Sequence, residues 1–353
     1  MQRVEELCRT VVPAKALAAD APLALKDKKG VEKKYGEFLS KVLADPRKGM
    51  QLCHAMLLPR KESAQKLKEY EKRGRLEMAG AILERRGKAS VVTMSNPRYL
   101  NAEDETTLVG LETAIDVALL DTKSEVCVLR GGPVEHPKYA GKRLFGAGIN
   151  LTHLYQGKIG YLWYIRRDLG LVNKLYRGLA KPGVSPEVDS IEKLWIAAVE
   201  GFAIGGHCQI LLTMDYIIAA ADAYMTLPAR KEGIIPGAAN LRMARFVGAS
   251  LTRQAILAEK RLDCDSPEGR MICDEVIPPS QVDQKLEELV QRLTSSGVVS
   301  AAGNRRAMRI VEEPLDAFRR YMAVYAREQA QCHFSPALVD NLERNWDAAN
   351  RRV

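Results

Sequence analysis

Two turns constrain this chain more than anything else in it. Gly146-Ala147-Gly148-Ile149 and Ile204-Gly205-Gly206-His207 each end a β-prone run and lead into a helical pattern. Small residues at such a turn let another group approach the main chain closely. A helix start also leaves N–H groups unpaired and carries positive dipole character. Two such N–H groups aimed at one carbonyl oxygen form an oxyanion hole, which stabilises charge developing in a transition state. The same glycines serve equally well for tight packing between strand and helix, and spacing alone does not separate the two uses. The GxGxxG pattern of a dinucleotide-binding turn is absent.

Around these turns, short strands alternate with helices. Ala89–Met94 and Val126–Leu129 are β-prone, with a helical pattern from Glu105 to Leu120 between them. A helix-like stretch runs from Leu162 to Leu179. Leu194–Val199 reads as a buried strand, Gln209–Met214 as a helix and Tyr216–Ala220 as another strand; beyond Asn240 the pattern is mostly helical. This alternation predicts an α/β architecture. Residues 1–87 read as a helical appendage, with apolar residues at helical spacing in Val31–Leu43 and Glu62–Glu84. The expected division is a helical N-terminal domain (1–87), a catalytic core (88–300) and a helical C-terminal region (301–353).

The 353 residues are 46 % hydrophobic but only 6 % aromatic, so the core must be largely aliphatic. No stretch reaches the roughly 18 apolar residues of a membrane span. The opening residues carry acids and lack the apolar region of a secretory signal. The seven cysteines are odd in number and none has CxxC spacing, which argues against a disulfide framework or a structural zinc site. A cytoplasmic protein with reduced thiols is the expectation. The net charge of +9 is scattered among acids; it suits a phosphate-rich small molecule as well as a nucleic acid, so charge decides nothing.

Ala89–Pro97 through Leu100-Asn101-Ala102, Ala147–Leu151, Lys193–Gln209 with Asp215, and Ile235-Pro236-Gly237-Ala238 follow one another in the order of landmarks in the crotonase (enoyl-CoA hydratase/isomerase) superfamily, which the chain resembles over roughly residues 88–300. The resemblance implies a spiral of ββα units with a helical C-terminal region, and a homotrimer or dimer of trimers. It also implies that the N–H groups of Ile149 and Gly206 grip the oxygen of an acyl-CoA thioester. The departures narrow the reading. Hydratases of that family add water with two glutamates, and their positions here hold Gln209, which cannot act as a base, and Ala229. General acid–base help is commonly worth ~10²–10⁴ in rate, so hydration should be poor while enolate chemistry remains open.

Asn101–Asp104, Gly148–Leu151, Arg166–Gly170, Cys208-Gln209 and Ala229–Arg242 further resemble the branch of that family made up of cofactor-independent dioxygenases of dihydroxyphenylacetyl thioesters, from glycopeptide-antibiotic pathways. This resemblance implies reaction of an arylacetyl-CoA with O₂ to an α-keto acid, (3,5-dihydroxyphenyl)glyoxylate, and free coenzyme A. It implies no metal or flavin and no nucleic-acid or membrane partner. Glu103, Arg167 (with Arg166 adjacent), Gln209 and Asn150 would contact the substrate, and Ile149, Leu151 and Ile234 would line an O₂ pocket. His207 stands where the branch has a small residue, and no base for the α-proton is evident.

Other readings stay open at this stage. Glu103 suits a helix N-terminus, Arg167 an ordinary ion pair, Gln209 a structural amide, Cys208 and His207 simple packing, and the three aliphatic residues plain core. The function could instead be that of a hydratase, isomerase or thioesterase with a rearranged acid such as Glu232, or of a non-enzymatic RNA-binding module, which the scattered charge disfavours.

Overall fold

A computed structural model of the chain describes residues 2–351. Its centre is a seven-stranded sheet in the order Arg75–Met78, Gly80–Arg86, Ala89–Ser95, Val126–Gly131, Leu194–Val199, Tyr216–Ala220 and Glu275–Ile277. The first three strands pair antiparallel and the remainder in parallel. Helices cover this sheet, so the parallel strands are buried on both faces and read as continuous apolar runs; every residue of Val126–Gly131 is buried. A smaller sheet of Phe202–Ile204, Tyr224–Thr226 and Leu262–Asp263 lies beyond the Leu194–Val199 strand. The α/β architecture expected from the alternation is the observed one.

One expectation fails. The residue pattern places Arg75–Arg86 within a helical segment, yet it forms the hairpin that edges the main sheet. Its Leu, Glu, Met and Arg residues all favour helices, but pairing of Gly80–Arg86 with Ala89–Ser95 over seven residue pairs overrides that preference. Gly74 marks the switch: at φ +67° it closes the helix Ser63–Arg73 as a left-handed cap. The sheet therefore begins before residue 88. The stretch 162–179 is helical through Arg177, but Arg167–Val172 within it adopts π-helical geometry. No helix among the described residues is long and apolar enough to cross a membrane.

The N-terminal helices are welded to this core. Lys33–Ala44 packs along Leu315–His333, the long helix of the C-terminal region. Beneath Pro46–Leu57 and Glu105–Leu120 sits a buried charge cluster: the Lys174 ammonium, fully buried, lies 2.8 Å from Glu112 and 2.7 Å from Asp116. Arg3 and Arg60 reach Glu112 from the N-terminal segment at 2.9 and 3.1 Å. Burial resists ionisation of Glu112, but Lys174 and the two arginines outweigh it and hold its carboxyl down at about 2. Asp116 is pushed up by burial, against the pull of Lys174. Removing one partner of such a group strands the rest. Lys174→Met is expected to lower stability by about 3–5 kcal/mol at neutral pH, as measured by urea unfolding. The loss should shrink in acid, where protonation relieves the stranded carboxylates; a variant as stable as the parent at pH 7 would contradict this account.

Candidate active site

The two small-residue turns lie side by side. Glu103 straddles the first: its N–H donates to the Gly148 carbonyl at 2.7 Å and its carbonyl accepts from Asn150 N–H at 2.8 Å. That pairing skips the N–H of Ile149, which has no acceptor among the described residues. In the second turn Gly206 opens the helix Gly206–Leu211, so its N–H has no intrahelical partner. A Cβ on Gly148 would stand 3.2 Å from the Gly206 nitrogen, and Ile149 and Gly206 line one inner cavity.

His207 holds the turns together. Its Nδ1 accepts the Gly148 N–H at 2.9 Å, its ring presses on Gly146 and meets Phe145 edge-on. It is fully buried, and burial drives its pKa down to about 4 despite Glu103 nearby. A ring that accepts through Nδ1 at neutral pH carries its proton on Nε2, which has no partner. His207 therefore neither crowds the turn nor points away from it; it braces it. Cys208, next in the chain, is buried, and burial pushes its thiol up to about 12, so it is a packing residue and not a nucleophile.

Behind the turns lies a buried polar network. Arg167 Nε and Nη2 bind Glu103 at 2.7–3.0 Å, Nη2 also donates to the Gly206 carbonyl at 2.9 Å, and Nη1 donates to Gln209 Oε1 and to Asp168 at 3.4 Å. Gln209 Nε2 donates to Asp168 and to the Pro236 carbonyl, both at 3.1 Å. All five N–H groups of Arg167 are thus engaged; in this arrangement it is a brace for the acceptors around it and has no spare donor. Burial opposes its charge, but Glu103 and Asp168 more than compensate and raise its pKa. Asp168 itself is raised by burial, against the pull of Arg167. Room for the network comes from glycine: a Cβ on Gly206 would press on Arg167 and Glu103, and one on Gly237 would overlap Gln209.

The choice between adjacent arginines is resolved: Arg167 is buried in the site, whereas Arg166 turns outward to Glu105. Asp104, not Glu103, caps the helix Glu105–Leu120, accepting from Thr106 N–H at 2.9 Å. Two expectations are adjusted. The Asn150 side chain donates to Asp104 at 2.9 Å and its oxygen caps the next helix, and the residue lines the outer cavity and not the inner one. Leu151 does not join Ile149 and Ile234 on the inner cavity; it lines an adjoining outer cavity of about 570 Å³, because the helix Leu151–Tyr155 begins there and turns it away. Asp168, Trp163, Tyr164 and Tyr325 also line the inner cavity, unforeseen from sequence. Asp168 stands beside Arg167 within the same motif; Tyr325, on the distant helix Leu315–His333, carries no local signal.

Residues 84–329 match the sequence pattern of the family described as enoyl-CoA hydratase/isomerase. The chain is 43 % identical over 337 residues, 93 % of its length and 77 % of the relative's, to the (3,5-dihydroxyphenyl)acetyl-CoA 1,2-dioxygenase of Amycolatopsis orientalis. It is 28 % identical to the short-chain-enoyl-CoA hydratase of Clostridium acetobutylicum, over 66 % of this chain and 82 % of that one. The crystal structure of an enoyl-CoA hydratase from Mycobacterium avium subsp. paratuberculosis superposes with a TM-score of 0.62 at 21 % identity, covering 75 % of this chain and 98 % of that chain, which shows a common fold.

His207→Ala removes the acceptor for the Gly148 N–H and leaves a void beside Gly146. It should cost about 2–4 kcal/mol at pH 7. Because the folded state holds His207 near 4 while the unfolded chain protonates near its ordinary value of 6.5, the parent loses this stability as pH falls through that window. The gap between parent and variant, followed by urea unfolding, should therefore narrow from pH 7 toward pH 4.

Proposed function

Since the chain belongs to the enoyl-CoA hydratase/isomerase family, we propose that it is a cofactor-independent dioxygenase that converts (3,5-dihydroxyphenyl)acetyl-CoA and O₂ to (3,5-dihydroxyphenyl)glyoxylate and free coenzyme A. The observation that carries this reading is the buried Glu103–Arg167–Gln209–Asp168 network set directly behind two unpaired main-chain amides. The 43 % identity to a dioxygenase of that name supports it.

In this reading the coenzyme A portion occupies the outer cavity, whose size suits a small-molecule site and whose rim carries Arg98, His136 and Arg351 for its phosphates. The aryl ring enters the inner cavity, whose free space of about 40 Å³ must widen to admit it. Its hydroxyls donate to spare lone pairs of Asp168 and the Gln209 carbonyl, which line that cavity, while Glu103, which does not line it, holds Arg167 in place. The thioester oxygen lies between the amides of Ile149 and Gly206. Loss of an α-proton gives an enolate whose charge those amides stabilise, and the ring delocalises the carbanion further.

The enolate then reduces O₂ directly, forming a peroxide at the α-carbon. The peroxide attacks the thioester carbonyl, the C–S bond breaks with release of coenzyme A, and O–O cleavage leaves the keto and carboxylate oxygens. One thioester oxygen and two from O₂ account for the three in the keto acid. The two α-hydrogens leave as the thiol proton and a free proton. Ile149 and Ile234 furnish an apolar wall for O₂ that excludes water. Assembly as a homotrimer or dimer of trimers is part of the same proposal.

A second reading, hydration or isomerisation of an enoyl thioester, draws on Glu232, a carboxyl on the inner cavity. The two are separated by turnover under ¹⁸O₂ without added metal, with mass spectrometry of the product. Label in the keto acid, together with release of free coenzyme A that stops when O₂ is removed, is the expected result. Equal turnover with and without O₂, or efficient hydration of crotonyl-CoA, would overturn the proposal. Phenylacetyl-CoA, which lacks the ring hydroxyls, should fall in kcat/KM by about 10⁴.

A further inference from the structure

The proposed reaction needs a group to take the α-proton, and most of the polar side chains at the inner cavity are committed. Asp168, which lines the cavity, binds Arg167 and Gln209 through Oδ1; Glu103 and His207, which do not line it, are held by Arg167 and by the Gly148 N–H. Burial pushes the hydroxyls of Tyr164 and Tyr325 well up, away from use as bases. Glu232 is different. Among the described residues its carboxyl has neither an ion pair nor a hydrogen bond, although it is only 4 % exposed.

Its place matters more than its isolation. Among the described residues, only Ile149 and Glu232 line both the inner and the outer cavity. They mark the neck where the two spaces meet. A thioester that spans both, with its oxygen on the Ile149 amide, has its α-carbon in that neck. Glu232 also lies on the short helix Ala229–Glu232, three residues after Ala229, and positions i and i+3 of a helix share a face. Both residues do line the inner cavity. A carboxyl has thus been supplied nearly one turn along from a position that carries none.

Resting on the dioxygenase reading, we infer that Glu232 is the base that removes the α-proton of the thioester. The α-C–H bond breaks, an O–H bond forms on the Glu232 carboxyl, and the electron pair moves to the thioester oxygen between the Ile149 and Gly206 amides. Negative charge passes from Glu232 to the substrate, so the net charge of the site is unchanged. Burial, with Glu259 adding to it, raises the Glu232 carboxyl to about 8, which makes its ionised form a stronger base than an ordinary glutamate. The other titratable groups around it are Tyr164, Tyr325, Arg167 and Asp168 across the inner cavity, Arg98, Tyr99, His136, Tyr139, Tyr224 and Arg351 on the outer cavity, and Glu259 beyond its own helix, where Arg230 and Lys231 turn away.

The test is hydrogen exchange without oxygen. The full-length protein is incubated anaerobically in D₂O with (3,5-dihydroxyphenyl)acetyl-CoA, and α-deuterium in the recovered thioester is read by mass spectrometry. The parent should exchange, with a rate that climbs as pH rises through about 8. Glu232→Gln, close in shape to the protonated acid, should lose at least ~10²-fold in exchange while still binding the thioester, and Glu232→Asp should regain part of it. A Glu232→Gln protein that exchanges at the parental rate overturns the assignment. So does a parent that fails to exchange, or one whose rate is flat from about pH 6 to pH 9. The pH profile of the parent stands even if the variant does not fold. Exchange by the parent without labelled keto acid under ¹⁸O₂ would sink the oxygenase reading and leave Glu232 as the base; labelled product from Glu232→Gln at the parental rate would do the reverse.

Discussion

A guanidinium that cannot give up its proton, buried where water does not reach, sets the terms for this site. Arg167 must find acceptors for five N–H groups inside the protein or the fold would carry an uncompensated charge. It finds them on three separate stretches of chain: Glu103 ahead of the helix Glu105–Leu120, its own neighbour Asp168, and the Gly206–Gln209 turn of a third helix. Satisfying one cation therefore brings both small-residue turns to the same point. The π-helical geometry of Arg167–Val172 accompanies the burial of two consecutive charged residues on one side.

The consequence for chemistry is pre-organisation. Gly206 gives its carbonyl to Arg167 and keeps its N–H free; Glu103 donates to the Gly148 carbonyl and accepts from the Asn150 N–H, which leaves the N–H of Ile149 unused. Neither amide is free by accident of mobility, because each belongs to a peptide whose neighbours are fixed. His207 adds a third restraint through the Gly148 N–H. The long helix Leu315–His333 closes the site from outside: the Tyr321 hydroxyl donates to the Gly237 carbonyl, the Gln329 oxygen accepts from Ile235 N–H at 2.9 Å, and Tyr325 lines the cavity. That helix is in turn packed by Lys33–Ala44, with Gly36 pressed against Ala330. The N-terminal segment thus acts on the site through one intervening helix.

Much of the architecture was legible because local pattern and tertiary demand agree. The helix Glu105–Leu120 was read to the residue, since Asp104 caps it and the strand on either side is apolar. Leu194–Val199 and Tyr216–Ala220 are buried on both faces and could be little else. The hairpin Arg75–Arg86 was misread where the two disagree, helix-favouring residues having been recruited into an edge pair. In the site, the motif names Arg167 and Gln209, which line the inner cavity, and Glu103, which pairs with Arg167 without lining it. Asn150 lines the outer cavity, but sequence names a polar side chain without saying that a neighbouring Asp104 and a helix start already engage it.

The order of residue types along the chain was enough to determine the alternation of strands and helices, the two turns without bulky side chains, and the loss of carboxylates at positions 209 and 229. These are local properties, set by periodicity and by which side chains are present. Which of two adjacent arginines is buried, which lone pairs remain free, that Leu151 faces away from Ile234, and that Glu232 stands at the neck between two cavities were decided only by tertiary structure. Each depends on groups tens to hundreds of residues apart competing for the same donors, acceptors and space, and that competition has no local signature.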